Sequence, residues 1–248
     1  MLKITILGCS SSLGVPLIGC DCDICSSESE YNKRTRSSIY IDDGTDTMLI
    51  DFGYDIKNQL IRENIKKITG TILTHKHADH VSGIDDLRIF SFIQQMPLDI
   101  FTDHGTAKIL ENLYGYLFTN NYLKINPLDF FAKFSIGSIN IQLFRQHHGA
   151  IDSLGVRIGD FVYSSDVSDF PEESKKYLQN IKVWVVDCFD YKSNYAHSGL
   201  DKILYWNKIY NPAEILLTNL SHYIDYYEIS KALPNNIKPL YDGYKINI

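Results

Sequence analysis

Thr71-Ile72-Leu73-Thr74-His75-Lys76-His77-Ala78-Asp79-His80 is the stretch on which the reading of this chain turns. Four strand-like residues lead directly into three imidazoles and a carboxylate held within one tight turn. A short apolar run bounded by such a turn reads as a buried strand. In layered α/β folds, polar groups collect where strands end. Neutral imidazole and carboxylate are the donors that Zn and similar transition metals take. Along an extended turn His75 and His77 share one side, and Asp79 and His80 can then reach a second ion. Two ions about 3.5–4 Å apart can hold a hydroxide and a phosphoryl oxygen together. The chain has 8 histidines in all, so three within six residues are not the chance content of a solvated loop.

One loop cannot close two sites, so further donors are expected at later strand ends. Candidates are His147 or His148 after Phe144, Asp166 after Tyr163-Ser164-Ser165, and a group after Thr218. Asp166 is suited to bridge two ions. The rest of the chain alternates strands and helices. Strands are expected at Ile4–Leu7, Ile39–Asp42, Met48–Asp51, Leu98–Thr102, Leu154–Ile158, Phe161–Ser164, Val183–Val186 and Ile215–Thr218, with two β-like runs over Phe134–Phe144. Helices are expected around Ile56–Ile61, Ile84–Phe92, Gly105–Tyr116, Leu200–Ile209 and Tyr226–Leu233. At 248 residues, with 44% hydrophobic and 22% charged positions, one large α/β domain over 1–248 accommodates this pattern. No apolar run approaches the length of a membrane helix. The N-terminus reads as a first strand rather than a signal peptide, so a cytoplasmic location without membrane partners is expected. A net charge of −6 argues against a general nucleic-acid binder.

Cys20, Cys22 and Cys25 crowd into a polar, loop-like segment flanked by Gly19, Asp21 and Asp23. In a reducing compartment that spacing points to metal before disulfide. Cys9 and Cys188 sit in apolar runs and read as small core residues.

With these motifs in place the chain resembles the metallo-β-lactamase superfamily. Within it, the chain is similar to the phosphodiesterase branch that includes ribonuclease Z and the phosphoribosyl cyclic-phosphate phosphodiesterase. The resemblance runs through Leu7–Pro16, Gly19–Cys25, Asn32–Ser38, Leu49–Gly53, His75–Gly83, Gln146–Gly149, Tyr163–Asp166 and Leu217–His222. It implies a four-layer αβ/βα sandwich with metals at the sheet edge. It also implies that His75, His77 and His148 (the histidine before Gly149) bind one ion, that Asp79 and His80 bind another, and that Asp166 bridges. His197, in Tyr195-Ala196-His197-Ser198-Gly199, falls where the family places a general acid, and its ordinary pKa suits that task. Asp79 and His197 are the catalytic candidates. Asp51, at a strand end, is expected to orient a metal-bound histidine.

One position departs from the family pattern. Related sequences run from the strand at Ile215–Thr218 straight into a histidine that completes the second site, with another histidine three positions later. Here these are Asn219 and His222. Either His222 shifts into the active site, or it joins the three cysteines and Asn219 is a weak ligand or none. The second reading is preferred, because a closed structural zinc site takes four ligands and Cys₃His is a standard set. The expected cofactors are two active-site transition metals, Zn or Mn, and one structural Zn on a loop at about 19–36.

The function that follows is metal-dependent hydrolysis of a small phosphodiester, cyclic ones included, by attack of a hydroxide held between the ions, with His197 protonating the leaving group. tRNA 3′-end processing, lactone or thioester hydrolysis, and metal binding without catalysis are the competing readings. The resemblance adds a homodimer as a candidate assembly, without an interface legible in any segment.

Overall fold

The computed structural model describes residues 1–248. Its strands are Lys3–Gly8 (β1), Ser38–Asp42 (β2), Thr47–Ile50 (β3), Gly70–Ile72 (β4), Leu98–Asp103 (β5), Leu123–Leu128 (β6), Lys133–Ile136 (β7), Ile139–His148 (β8), Ile151–Ile158 (β9), Phe161–Ser164 (β10), Val183–Asp187 (β11), Glu214–Thr218 (β12), Ile237–Pro239 (β13) and Lys245–Asn247 (β14). The α-helices are Ile56–Arg62 (α1), Ala78–Val81 (α2), Arg88–Gln94 (α3), His104–Thr119 (α4), Leu200–Tyr210 (α5) and Tyr226–Ala232 (α6).

Two seven-stranded sheets form, in the orders β14-β1-β2-β3-β4-β5-β6 and β13-β12-β11-β10-β9-β8-β7. The side-chain period of a strand explains the layering. Along β11 and β12, Val183, Val185 and Leu216 face the other sheet, where they meet Ile6, Ile41, Met48, Ile50 and Ile72. Their neighbours Trp184, Val186, Ile215 and Leu217 face outward onto Ile203 and Trp206 of α5 and Ile229 of α6. Both faces are covered, which is why Val183–Val186 is uniformly apolar rather than alternating. On the far side Leu7, Leu49, Leu73 and Ile100 pack on Ile56 and Leu60 of α1, Phe90 of α3, and Leu110 and Leu117 of α4. The result is the expected four-layer αβ/βα sandwich.

Strand direction positions the site. β3, β4 and β5 run parallel, as do β10, β11 and β12. Their C-terminal ends deliver Asp51, Thr74-His75, Asp166, Asp187 and Asn219 to one edge.

Two local expectations need adjusting, and one strand was not anticipated. The helix expected over Ile84–Phe92 is a 3₁₀ turn at Ile84–Leu87 that passes into α3. The turn after Thr74 is extended only to His77, and α2 starts at Ala78. Leu123–Leu128 is a strand despite Pro127, which is tolerated because β6 is the sheet edge. No helix is long and apolar enough to cross a membrane.

Candidate metal centre and its acid

His75 is fully enclosed at the end of the β4 segment, and Asp51 lies beside it in the left-handed region with φ 62°. Asp166 (φ 46°) and Asn219 (φ 57°) adopt the same backbone conformation after β10 and β12. Asn and Asp tolerate this region better than most residues, and each of the three turns a polar side chain back towards the site. Gly53 follows Asp51 and lies so close to the Asp79 carbonyl that a Cβ would overlap it. That approach lets Phe52 N–H donate to the His80 carbonyl at 2.7 Å, locking the histidine loop to the neighbouring strand end.

The side chains form three groups around one carboxylate, the third being Asp166 with Asp187 and His197. His75, His77, His148 and Asp166 make the first; Asp79, His80 and Asp166 make the second. In the first, Nε2 of His148 is 3.1 Å from Nδ1 of His77 and 3.3 Å from Oδ2 of Asp166, and His75 Nε2 is 3.5 Å from the same oxygen. In the second, His80 Nε2 is 3.3 Å from Asp79 Oδ2 and 3.4 Å from Asp166 Oδ1. Donors held about 2.0–2.1 Å from a tetrahedral ion lie about 3.3–3.4 Å apart, so these first two groups have the spacing of ligand shells. His75 Nε2 is buried and has no hydrogen-bond partner in the protein, as a nitrogen reserved for a metal would be.

The opposite ring nitrogens are tied down. His148 Nδ1–H donates to the Ala196 carbonyl at 2.7 Å. His80 Nδ1 meets Asp51 Oδ2 at 2.7 Å, and His75 Nδ1 meets Thr74 Oγ1 at 3.0 Å. Asp51 also accepts from Thr74 N–H at 2.8 Å. These contacts fix tautomer and ring orientation. Burial together with its histidine neighbours holds the His75 ring well below the usual imidazole range, in the neutral form a ligand needs. Burial raises the carboxyl of Asp166, but His80 and His75 outweigh it and hold the group well below its ordinary value.

His197 stands next to the first group, with its ring 4.8 Å from that of His148 and stacked on Phe189. Its Nδ1–H donates to Asp187 Oδ2 at 2.8 Å, leaving Nε2 free. Burial works against the charged ring, but Asp187 overcomes it and pushes His197 up to about 9. Asp187, which holds His197, was not among the candidates drawn from the sequence. The available signal was its place directly after an apolar strand. His147, the rejected neighbour of His148, pairs instead with Asp152 at 2.9 Å.

The structure also places the remaining candidates. His222 Nδ1 is 3.6 Å from Cys20 Sγ, 3.5 Å from Cys22 Sγ and 3.8 Å from Cys25 Sγ. A tetrahedral zinc with thiolates at about 2.3 Å and an imidazole at about 2.0 Å separates sulfur from nitrogen by about 3.5 Å. His222 therefore joins the cysteines and not the histidine centre. Asn219 lies at the centre, where its amide nitrogen donates to Asp166 and its oxygen accepts from Ser37. Arg34 is buried and donates to the Ser221 and Ile224 carbonyls, so it braces the cysteine loop. Arg88 pairs with Asp85 on the surface.

Residues 40–219 match the family model described as a beta-lactamase superfamily domain. The chain belongs to this superfamily. Among solved structures, a diphosphatase from the PhnP family is 29% identical, with a TM-score of 0.94 over 99% of this chain and 96% of that one. Zn(2+)-bound PqqB from Methylobacterium extorquens is 18% identical, with a TM-score of 0.83 over 99% of this chain and 100% of that one, and shares the superfamily fold. An octanoyltransferase of Porphyromonas gingivalis is 28% identical over 98% of this chain, which spans only 51% of that protein. The chain likewise spans 40% of a coenzyme PQQ synthesis protein B from Methylobacterium radiotolerans, to which it is 32% identical over 45% of its own length. The superfamily and layered fold implied by the motifs are thus established.

Proposed function

We propose that this chain is a metal-dependent hydrolase of small phosphodiesters, and that it uses Zn or Mn. The observation that carries the reading is Asp166, shared by two ligand-like groups, with the His197–Asp187 pair alongside. His75, His77 and His148 would hold one ion, Asp79 and His80 the other, and Asp166 both. Cys20, Cys22, Cys25 and His222 would hold a structural zinc. When bound, the two active-site ions supply charge neutralisation at phosphorus and a nucleophile at neutral pH.

The chain's own groups do the rest. Asp51, Thr74 and the Ala196 carbonyl hold the ligating rings in the required tautomers. Asp187 orients His197 so that a proton sits on Nε2, facing the site, for delivery to the departing oxygen. A cavity of about 220 Å³ is lined by His75, alone of the clustered residues, together with Lys76, Asp103, Ile109, Ile151 and Asp152. The larger groove, about 540 Å³ between α1 and α3, is apolar and contains none of the clustered residues. The likeness to a diphosphatase supports phosphorus chemistry and adds P–O–P linkages to the candidates.

The test is turnover by Zn- or Mn-loaded protein of bis(p-nitrophenyl) phosphate, a cyclic nucleotide and a dinucleoside diphosphate, with products read by ³¹P NMR. Cleavage of at least one is expected. Protein with both ions bound that cleaves none of them, but opens a lactone or thioester, would replace this reading.

A further inference from the structure

The structure gives Asn219 a specific job. It is buried at the end of β12, with its side chain between Ser37 and Asp166. An ionised carboxylate only accepts hydrogen bonds, so the amide must turn its nitrogen, and not its oxygen, toward Asp166. The amide oxygen is then directed at the Ser37 hydroxyl. Ser37 Oγ also lies 3.0 Å from the Ser10 carbonyl and 3.3 Å from Thr218 Oγ1, so its single hydrogen is shared between the Ser10 carbonyl and the Asn219 oxygen, and the contact to Asp166 is the one that fixes the amide orientation. A ligand of the second ion would have to offer that oxygen lone pair to the metal. The bonded carboxylate oxygen is Oδ1, the one facing His80.

We infer that Asn219 is a positioning residue for the shared carboxylate of Asp166 and not a metal ligand, and that the second site therefore has three protein donors and an open position closed by a phosphate oxygen. The last part rests on the phosphodiester reading. The second ion and a phosphate group then bind cooperatively, because each completes the other's surroundings.

Stepwise Co²⁺ titration of chelator-treated protein tests this. Thiolate charge-transfer bands report the cysteine cluster separately from the d–d bands of the active site. Asp166 serves both active-site ions, so Asn219→Ala is expected to weaken both active-site steps, each by about tenfold. Ser37→Ala is expected to shift both in the same direction by less, and serves if Asn219→Ala fails to fold. Inorganic phosphate is expected to tighten the weaker step of the unmodified protein by about tenfold, and to lose most of that effect in Asn219→His. Loss of the weaker step alone in Asn219→Ala, with Ser37→Ala unchanged, would show that Asn219 is a ligand and overturn the assignment. A weaker step indifferent to phosphate would overturn the open position. Turnover enters none of these readings. A protein that binds ions in this pattern yet cleaves no phosphodiester would remove the proposed function and leave the Asn219 assignment standing.

Discussion

Asn219 and His222 leave the end of the same strand three residues apart and enter two differently built clusters. Around His222, four side chains each serve one centre, the group is half-exposed, and nothing in it is shared. Around Asp166 the donors are mostly buried, one carboxylate belongs to three groups, and the unused ring nitrogens of His75, His80 and His148 are bound to partners. A closed set of four donors suits an ion that holds a loop in place. A shared, incomplete set suits ions that must admit a substrate. The comparison teaches that ligand type alone does not separate the two roles. The separating features are sharing, completeness and the presence of an acid beside the site.

The largest effect is expected from removing His197, the proposed acid. His197→Gln is expected to lower kcat by about 10²–10⁴-fold on a diester with an alkoxide leaving group. The loss should be much smaller on a nitrophenyl ester, whose leaving group needs little protonation. Metal content, read by elemental analysis, should not change. The pH profile carries the sign. His197 is raised to about 9, so its proton is held below that value and lost above it. The alkaline limb of kcat near pH 9 should vanish in the variant. Loss of an ion together with activity would make His197 a ligand, and the distinction between donor set and acid would collapse.

A smaller effect is expected one bond further out. Asp51 touches no ion in the proposed scheme, but it holds His80 and Thr74. Asp51→Asn should weaken retention of the ion at Asp79 and His80 by about 10–100-fold in competition with a chelator. The cysteine-bound ion should be retained as in the unmodified protein. Equal loss from both clusters would mean that Asp51 supports the fold as a whole.

How much of this could be read in advance follows from the same contrast. His75, His77, Asp79, His80 and the three cysteines are close in sequence, and their spacing already encodes their meeting. His148, Asp166 and His222 needed strand ends to be recognised first, because parallel strands bring distant residues to one edge. Asp187 was hidden by its own position. Val183–Val186 signals burial, and nothing local marks the next carboxylate as the partner of a histidine ten residues on. Ser37 and Thr74 were hidden for another reason. A hydroxyl is compatible with any strand, and its role appears only when the groups it bonds are in place. The spacing of Asn219 flagged a departure, but whether its amide nitrogen or oxygen faces the site depends on Asp166 and Ser37, which lie 53 and 182 residues away.

The smallest effect tests whether the two clusters are independent. Arg34 is buried, and its Nη2 donates to the Ser221 carbonyl at 3.0 Å and the Ile224 carbonyl at 2.9 Å, on either side of His222. Its Nη1 reaches toward the Tyr31 carbonyl and Asn32 Oδ1. The planar guanidinium thus ties the segment before β2 to the loop that presents His222. An ammonium keeps the charge but cannot span both carbonyls. Arg34→Lys should therefore forfeit about one charge-assisted hydrogen bond, about 1.5 kcal/mol, and lower the Tm by about 3–6 °C. The cysteine-bound ion should be lost to a chelator more readily than before, because His222 is less firmly held. kcat and active-site metal content should stay as they were, since Arg34 contacts none of the residues around Asp166. A fall in kcat without a fall in Tm would mean that the loop carrying Asn219 and His222 transmits the change, and that the clusters it terminates act as one.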